Sequence, residues 1–301
     1  MGNFVSYING NYRVLLDLSN GTKIRTNNLD FFEADTPESF DLKVTNKCQH
    51  CCPQCHENST CDGRHGDVLH QKFFDTCHPY TEIAIGGGNP LEHPDLYQFL
   101  LMCKDHKFVP SMTIHQEDFI KNKEYLKELT DEKLLYGIGV SVSSVDDNLI
   151  CSLKEFPNAV VHVIAGYTTM QVFKQLANHD LKILILGYKI FRRGKDLYNV
   201  IGDHILEQIN EVKETLPTMI DNNWYKVVSF DNLAIKQLEV HKLLTEDQWN
   251  KFYMGDDGQA TMFIDLVDNN FAVSSTHSDR YPLTDSIQEM FSVVKKVSKN
   301  D

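Results

Sequence analysis

At 301 residues, with 42% hydrophobic and 24% charged side chains, the chain is sized for one α/β barrel or two small domains and has an ordinary globular composition. Its 42 acidic against 29 basic residues give a net charge of −13, which repels a phosphate backbone and argues against nonspecific nucleic-acid binding. No apolar run approaches the ~20 residues of a membrane span. The opening MGNFVSYINGNY lacks the layout of a secretory signal, so the expectation is a cytoplasmic protein with no membrane segment. Met1-Gly2 followed by Ser6 fits the bare myristoylation pattern, which is too short to weigh much.

In chain order, the first 30 residues alternate β-branched, aromatic and polar residues around Asn9-Gly10 and Asn20-Gly21, which predicts a small antiparallel meander. Asn28 to Ser39 reads as its linker. From Phe40 onward, β-rich runs alternate with segments of helical length. The runs are Phe40-Val44, Glu82-Ile85, Ser111-His115, Tyr136-Val142, Val160-Ile164, Lys182-Leu186 and Tyr225-Phe230. Helices are expected at Asp95-His106, Glu124-Leu129, Met170-His179 and Ile201-Leu216. Such alternation implies parallel strands with right-handed crossovers, hence a barrel or a doubly wound sheet, and either places ligand chemistry at the strands' C-terminal ends. After Phe230 come helices at Ala234-Leu244 and from Thr245, a hairpin through Asp268-Asn269-Asn270 and a last helix, Asp285-Lys296. The domain reading is 1–38 (meander and linker), 39–231 (α/β domain) and 232–301 (α+β extension).

Cysteine usage points to chemistry. Cys48, Cys51, Cys52 and Cys55 fall within eight residues just after the first long strand, whereas Cys61, Cys77, Cys103 and Cys151 are scattered. Thiolates at Cys48, Cys52 and Cys55 are spaced so that one loop can wrap three corners of an iron-sulfur cube, leaving the fourth iron open. A zinc site using Cys48-x2-Cys51 and Cys52-x2-Cys55 is the rival reading, made awkward by the adjacency of Cys51 and Cys52. Unligated packing cysteines fit poorly with the polar residues around them. About thirty residues later, Glu82-Ile85 ends in Gly86-Gly87-Gly88-Asn89-Pro90, where bare backbone can approach a ligand.

With Cys48-x3-Cys52-x2-Cys55 after one strand and the glycine loop after the next, the chain resembles the radical S-adenosylmethionine (radical SAM) superfamily over roughly Phe40 to Phe230. The resemblance implies a partial (βα)6 TIM-type barrel with an N-terminal β-meander and a C-terminal α+β extension. It implies a [4Fe-4S] cluster on Cys48, Cys52 and Cys55, with SAM chelating the open iron. It also implies an electron donor such as flavodoxin or ferredoxin. Gly87, Gly88 and Asn89 look like the loop meeting the methionyl amine, with Asn89 where an acid is common. Ser141 and Ser143 resemble ribose-contacting positions, and Ile164 the wall near adenine. Gln54 stands where the family usually has an aromatic residue near adenine. Lys189, Arg192 and Arg193, beyond the sixth strand, are expected to bind the SAM carboxylate or an anionic substrate, or else to form a solvated basic turn. His115, ending the third strand, is the one candidate catalytic side chain. Met262-Leu266 through Ala272-Ser275 resembles the hairpin of the extension that peptide-modifying members carry, yet no cysteine follows Cys151. The expected substrate is therefore a peptide or protein; a nucleotide or small metabolite is the alternative, and a non-catalytic zinc- or SAM-binding interaction protein the alternative of another class.

Overall fold

The structure, a computed structural model, describes residues 4–29 and 31–299. The Met1-Gly2 pattern lies outside the described residues. Strands β1 (Phe4–Asn9), β2 (Tyr12–Asp17) and β3 (Lys23–Thr26) form the antiparallel meander, with Asn9 opposite Tyr12 so that only Gly10 and Asn11 make the first turn. Gly10 sits at φ +57, and a Cβ there would lie 1.9 Å from the Glu33 carbonyl oxygen, so both turn geometry and contact with the linker require glycine.

Seven parallel strands follow in sequential order: β4 (Ser39–Thr45), β5 (Glu82–Gly87), β6 (Val109–His115), β7 (Gly137–Ser141), β8 (Ala159–Ile164), β9 (Lys182–Leu186) and β10 (Val227–Phe230). Between and after them lie α1 (Leu96–Asp105), α2 (Gln116–Lys121), α3 (Lys123–Asp131), α4 (Asp147–Glu155), α5 (Met170–Leu176), α6 (Arg193–Asp221), α7 (Asn232–Gln237), α8 (Glu246–Phe252) and α9 (Ile287–Ser298). The tail joins this sheet: β11 (Thr261–Asp265) pairs in parallel with β4, and β12 (Asn270–Ala272) and β13 (Tyr281–Pro282) continue it antiparallel. The hairpin expected around Asp268-Asn269-Asn270 is the β11-β12 turn.

Side-chain alternation divides the sheet into two faces. Phe40, Leu42, Val44, Ile83, Ile85, Met112 and Ile114 pack into one core with Leu96, Phe99, Leu100 and Cys103 of α1. The other face carries Asp41, Lys43 and Thr45 of β4, Ala84 and Gly86 of β5, Thr113 and His115 of β6, Gly139 and Ser141 of β7, and His162 and Ile164 of β8. That face is polar or small near the strand ends, so the site is built there.

Helix ends explain the departures from the sequence reading. The helix expected at Ile201-Leu216 runs from Arg193 to Asp221, with Ile201 at non-helical angles marking a break. Two helices were not anticipated: α4 starts on Asp146, whose carboxylate accepts from Leu149 N, and α2 starts directly on His115. The expected Ala234-Leu244 helix divides into α7 and a short 3-10 turn, because Glu239 takes a left-handed conformation. All eight cysteines are free thiols.

Candidate metal and cofactor site

The chain leaves β4 at Thr45 and returns near Gly66, and hydrogen bonds hold the two limbs together. Asn46 N donates to Arg64 O, Cys48 N to Thr60 O, Thr60 N to Asn46 O, and Gly66 N to Val44 O, at 2.8 to 3.0 Å. Thr45 Oγ1 contacts His65 Nδ1 at 2.9 Å, and His93 Nε2 contacts the Gly66 carbonyl at 2.9 Å, fixing the return limb. On this frame Cys48, Cys52 and Cys55 are half-buried, while Cys51 is exposed and sits at φ +49. Burial raises the Cys48 thiol pKa, and the neighbouring thiols of Cys52 and Cys55 raise it further. Burial likewise raises Cys52, with Cys55 the next contributor. The Cys48 and Cys52 thiols thus lie near enough to neighbouring thiols to feel them, Cys51 acting on Cys52 as well.

A tetrahedral zinc site would bring sulfurs to about 3.8 Å from one another. Among the described residues, no three cysteine sulfurs lie within 4.8 Å.

Beneath the loop lies a buried ionic network. Lys43, 1% exposed, reaches Glu57 at 3.2 Å and Asp265 at 3.0 Å. Glu57 also meets His56 at 3.3 Å and Arg192 at 3.7 Å. Although burial opposes it, His56, Lys43 and Lys189 hold the Glu57 carboxyl far below the usual carboxylate range. The network ties β4, the cysteine loop and β11 together. A charged residue inside the apolar run Phe40-Val44 was the sequence signal for it; its partners are 14 and 222 positions further along.

The glycine loop after β5 docks on the same frame. Gly88 N donates to Thr45 O and Asn89 N to Lys47 O, both at 2.7 Å. A Cβ on Gly87 would meet Thr45 O at 2.4 Å, and one on Gly88 would meet Lys47 O at 2.2 Å, whereas one on Gly86 would meet nothing within 4 Å. Gly87 and Gly88 are thus needed for packing against the cysteine loop. The open approach expected of the whole triplet lies at Gly86. The Asn89 carbonyl accepts from Leu91 N at 3.2 Å, and its amide donates to Asp118 at 3.0 Å. Glu92, which the sequence reading passed over, brings a carboxylate toward Cys48 and keeps one buried oxygen, Oε1, without a protein partner. The buried Oε1 of Gln54 is also unpartnered. Open space at Gly86 and two orphaned acceptors suit a ligand carrying N–H donors.

The remaining candidates separate by location. His115 and Ser141 are register partners, and Ser141 is in turn opposite His162. Ser143 lies beyond β7 in a loop whose backbone N donates to Gln116 Oε1 at 2.7 Å. Ile164 ends β8, its N–H donating to Thr168 Oγ1 at 3.0 Å. Lys189 contacts His56 Nε2 at 3.3 Å and donates to Ser275 Oγ at 3.0 Å. Arg192 and Arg193 donate to the carbonyls of Glu57 and Ser59 at 2.8 Å. The basic turn thus packs on the far limb of the cysteine loop, with the Arg192 side chain 30% exposed and the buried Arg193 Nε without a protein partner. A cavity of about 460 Å³, lined by Lys23, Arg25, Glu38, Asp41, Asp231 and Asp257 among others, includes none of the cysteines or loop glycines.

The fold so described is an α/β sheet of parallel strands with a thiol-bearing loop at the C-terminal end of the first of them. Solved structures sharing this fold include SuiB of Streptococcus suis bound to precursor peptide SuiA, with TM-score 0.65 and 10% identity, covering 99% of this chain and 90% of that one. SuiB bound to S-adenosylmethionine gives 0.57 and 11% identity over 93% and 84% of the two chains. No family model matches the chain, and no curated protein does. At these identities the likeness is one of fold, and function rests on the site.

Proposed function

We propose that the chain is a radical SAM enzyme. Cys48, Cys52 and Cys55 would hold a [4Fe-4S] cluster, and the fourth iron would be left for S-adenosylmethionine. The observation that carries this is the set of three half-buried thiols, Cys48, Cys52 and Cys55, on one braced loop, with Cys51 exposed. A fold shared with a SAM-bound protein supports it. In this reading strands β4 to β10 curl as a partial (βα)6 barrel of residues 39–231, preceded by the 1–38 meander and followed by the 232–301 extension.

Bound to Cys48, Cys52 and Cys55, a reduced cluster would supply the electron for reductive cleavage of SAM and so the radical chemistry that would remove hydrogen from a substrate. The chain's own residues position and shield. Arg192, Arg193 and the Lys43 network hold the cysteine loop, Gly87 and Gly88 let the glycine loop pack on it, and Gly86 leaves room beside it. Glu92 Oε1 and Gln54 Oε1 would accept N–H groups of SAM. Ser141 and Ile164 line the same polar face, where excluding water protects a radical from quenching.

The proposed substrate is a peptide or protein, supported by the likeness to SuiB in its complex with a precursor peptide. A nucleotide or small metabolite is the alternative, which would meet the cations Lys189, Arg192 and Arg193, the last keeping a buried Nε without a protein partner. A reduced compartment such as the cytoplasm, with a flavodoxin or ferredoxin as electron donor, suits free thiols and a reducible cluster. The test is anaerobic reconstitution: about four irons and four sulfides per chain, and release of 5′-deoxyadenosine from SAM with a strong reductant. A full cluster that releases none refutes the proposal.

A further inference from the structure

A second group of ligating side chains stands beside the cysteine loop and takes no part in the site above. Among the described residues, one ring nitrogen each of His50 and His115 and a carboxylate oxygen of Glu117 all lie within 4.8 Å of one another. They come from three different places: the arm between Cys48 and Cys52, the last residue of β6 and the first turn of α2. The imidazoles pack with centroids 3.9 Å apart and planes 32° apart.

The surroundings orient His50 as a metal ligand needs. His50 Nε2 lies 2.5 Å from Asp118 Oδ2, so its proton sits on Nε2, leaving the Nδ1 lone pair toward Glu117 Oε2 at 3.8 Å. A carboxylate behind a histidine ligand, fixing its tautomer and raising its basicity, is the usual outer partner of such ligands. Asp118 is itself positioned: the Asn89 amide donates to the same Oδ2 at 3.0 Å. His115 Nδ1 accepts the Glu117 N–H at 3.3 Å, which puts its proton on Nε2, so ligation through either ring nitrogen gives up this long bond at the head of α2. First-row ions bind nitrogen and oxygen at about 2.0–2.2 Å, so the group must contract by an ångström or two. The Glu117 side chain, 74% exposed, can supply most of that movement.

We propose that His50, His115 and Glu117 bind a divalent first-row transition-metal ion through two imidazoles and one carboxylate, distinct from the three-thiol site. Asp118 is a positioning residue. Three protein ligands leave coordination positions for water or a substrate oxygen, and the donor set selects a nitrogen-and-oxygen-binding ion over a thiophilic one. By joining the cysteine arm to α2, the ion also braces the loop from the side opposite Arg192 and Arg193.

The probe is cobalt(II), counted per chain by equilibrium dialysis against the anaerobic, cluster-loaded protein, in which Cys48, Cys52 and Cys55 are engaged; cobalt held by the exposed Cys51, Cys61 or Cys151 would be unchanged by substitution of Glu117 or His115. One cobalt per chain is expected. Glu117→Gln, altering an exposed side chain, should weaken binding at least tenfold, and His115→Ala should abolish it. Asp118→Asn should weaken it by about 10–100-fold. Iron and sulfide are counted in parallel, so failure here is distinguishable from failure of cluster assembly. Absence of cobalt at millimolar concentration overturns the proposal, as does binding unchanged in Glu117→Gln and His115→Ala.

Discussion

Replacing Gly88 by alanine tests how the glycine loop serves the site. The new Cβ would lie 2.2 Å from Lys47 O, 2.8 Å from Lys47 C and 3.0 Å from Lys47 N. All three are backbone atoms of the cysteine loop's entry, so no side-chain rotation relieves the clash. Ordinary carbon-oxygen contact lies roughly 1 Å further out, and the shift must come where Gly88 N to Thr45 O and Asn89 N to Lys47 O are both 2.7 Å. Losing those two bonds costs about 1 kcal/mol each, and overpacking adds about 1–3 kcal/mol. We expect Gly88→Ala to destabilise the protein by about 3 kcal/mol in urea unfolding and to assemble less than half the wild-type cluster. Gly86→Ala, whose Cβ enters open space, should keep stability within about 0.5 kcal/mol and keep the cluster, but weaken SAM binding. The reasoning is refuted if Gly88→Ala loads a full cluster at wild-type stability, or if Gly86→Ala binds SAM unchanged.

Other substitutions probe separate parts of the structure. Cys51→Ala should keep about four irons per chain and 5′-deoxyadenosine release, because Cys51 is exposed and turned out; loss of iron in this variant would reassign the ligands. Asp265→Asn places an amide against the buried Lys43 ammonium and should cost about 3–5 kcal/mol in urea unfolding; a cost below about 1 kcal/mol would show that Glu57 alone suffices. Burial holds the His162 pKa down to about 4 from 6.5, so the folded state favours the neutral ring. Stability is unaffected above pH 6.5 and falls as the pH drops toward 4, by at most about 3 kcal/mol. His162→Gln should flatten that slope in urea midpoints between pH 7 and 4, and an unchanged slope would mean that another group titrates there.

The order of strands and the place of the thiols were legible in the sequence because both are local. Period-two burial marks β5, β6, β8 and β9, and Cys48, Cys52 and Cys55 lie in one short loop whose spacing limits what they can hold. The Asn-Gly pairs likewise announce the meander, since the turn chemistry sits in the turn itself. Only the tertiary structure decided what faces that loop. Lys43 and Asp265 meet because β11 returns from more than 200 residues away to lie beside β4. Arg192 and Arg193, which read as anion-binding or solvated cations, each donate to a carbonyl of the cysteine loop's far limb. Which glycine is open depends on whose backbone fills the space behind it, and that backbone belongs to the neighbouring strand's loop. His50, His115 and Glu117 carry no shared spacing at all; strand register and one short helix bring them together. Local sequence fixes φ/ψ preferences and side-chain alternation, whereas a site is a set of long-range contacts that exist only once the sheet has assembled.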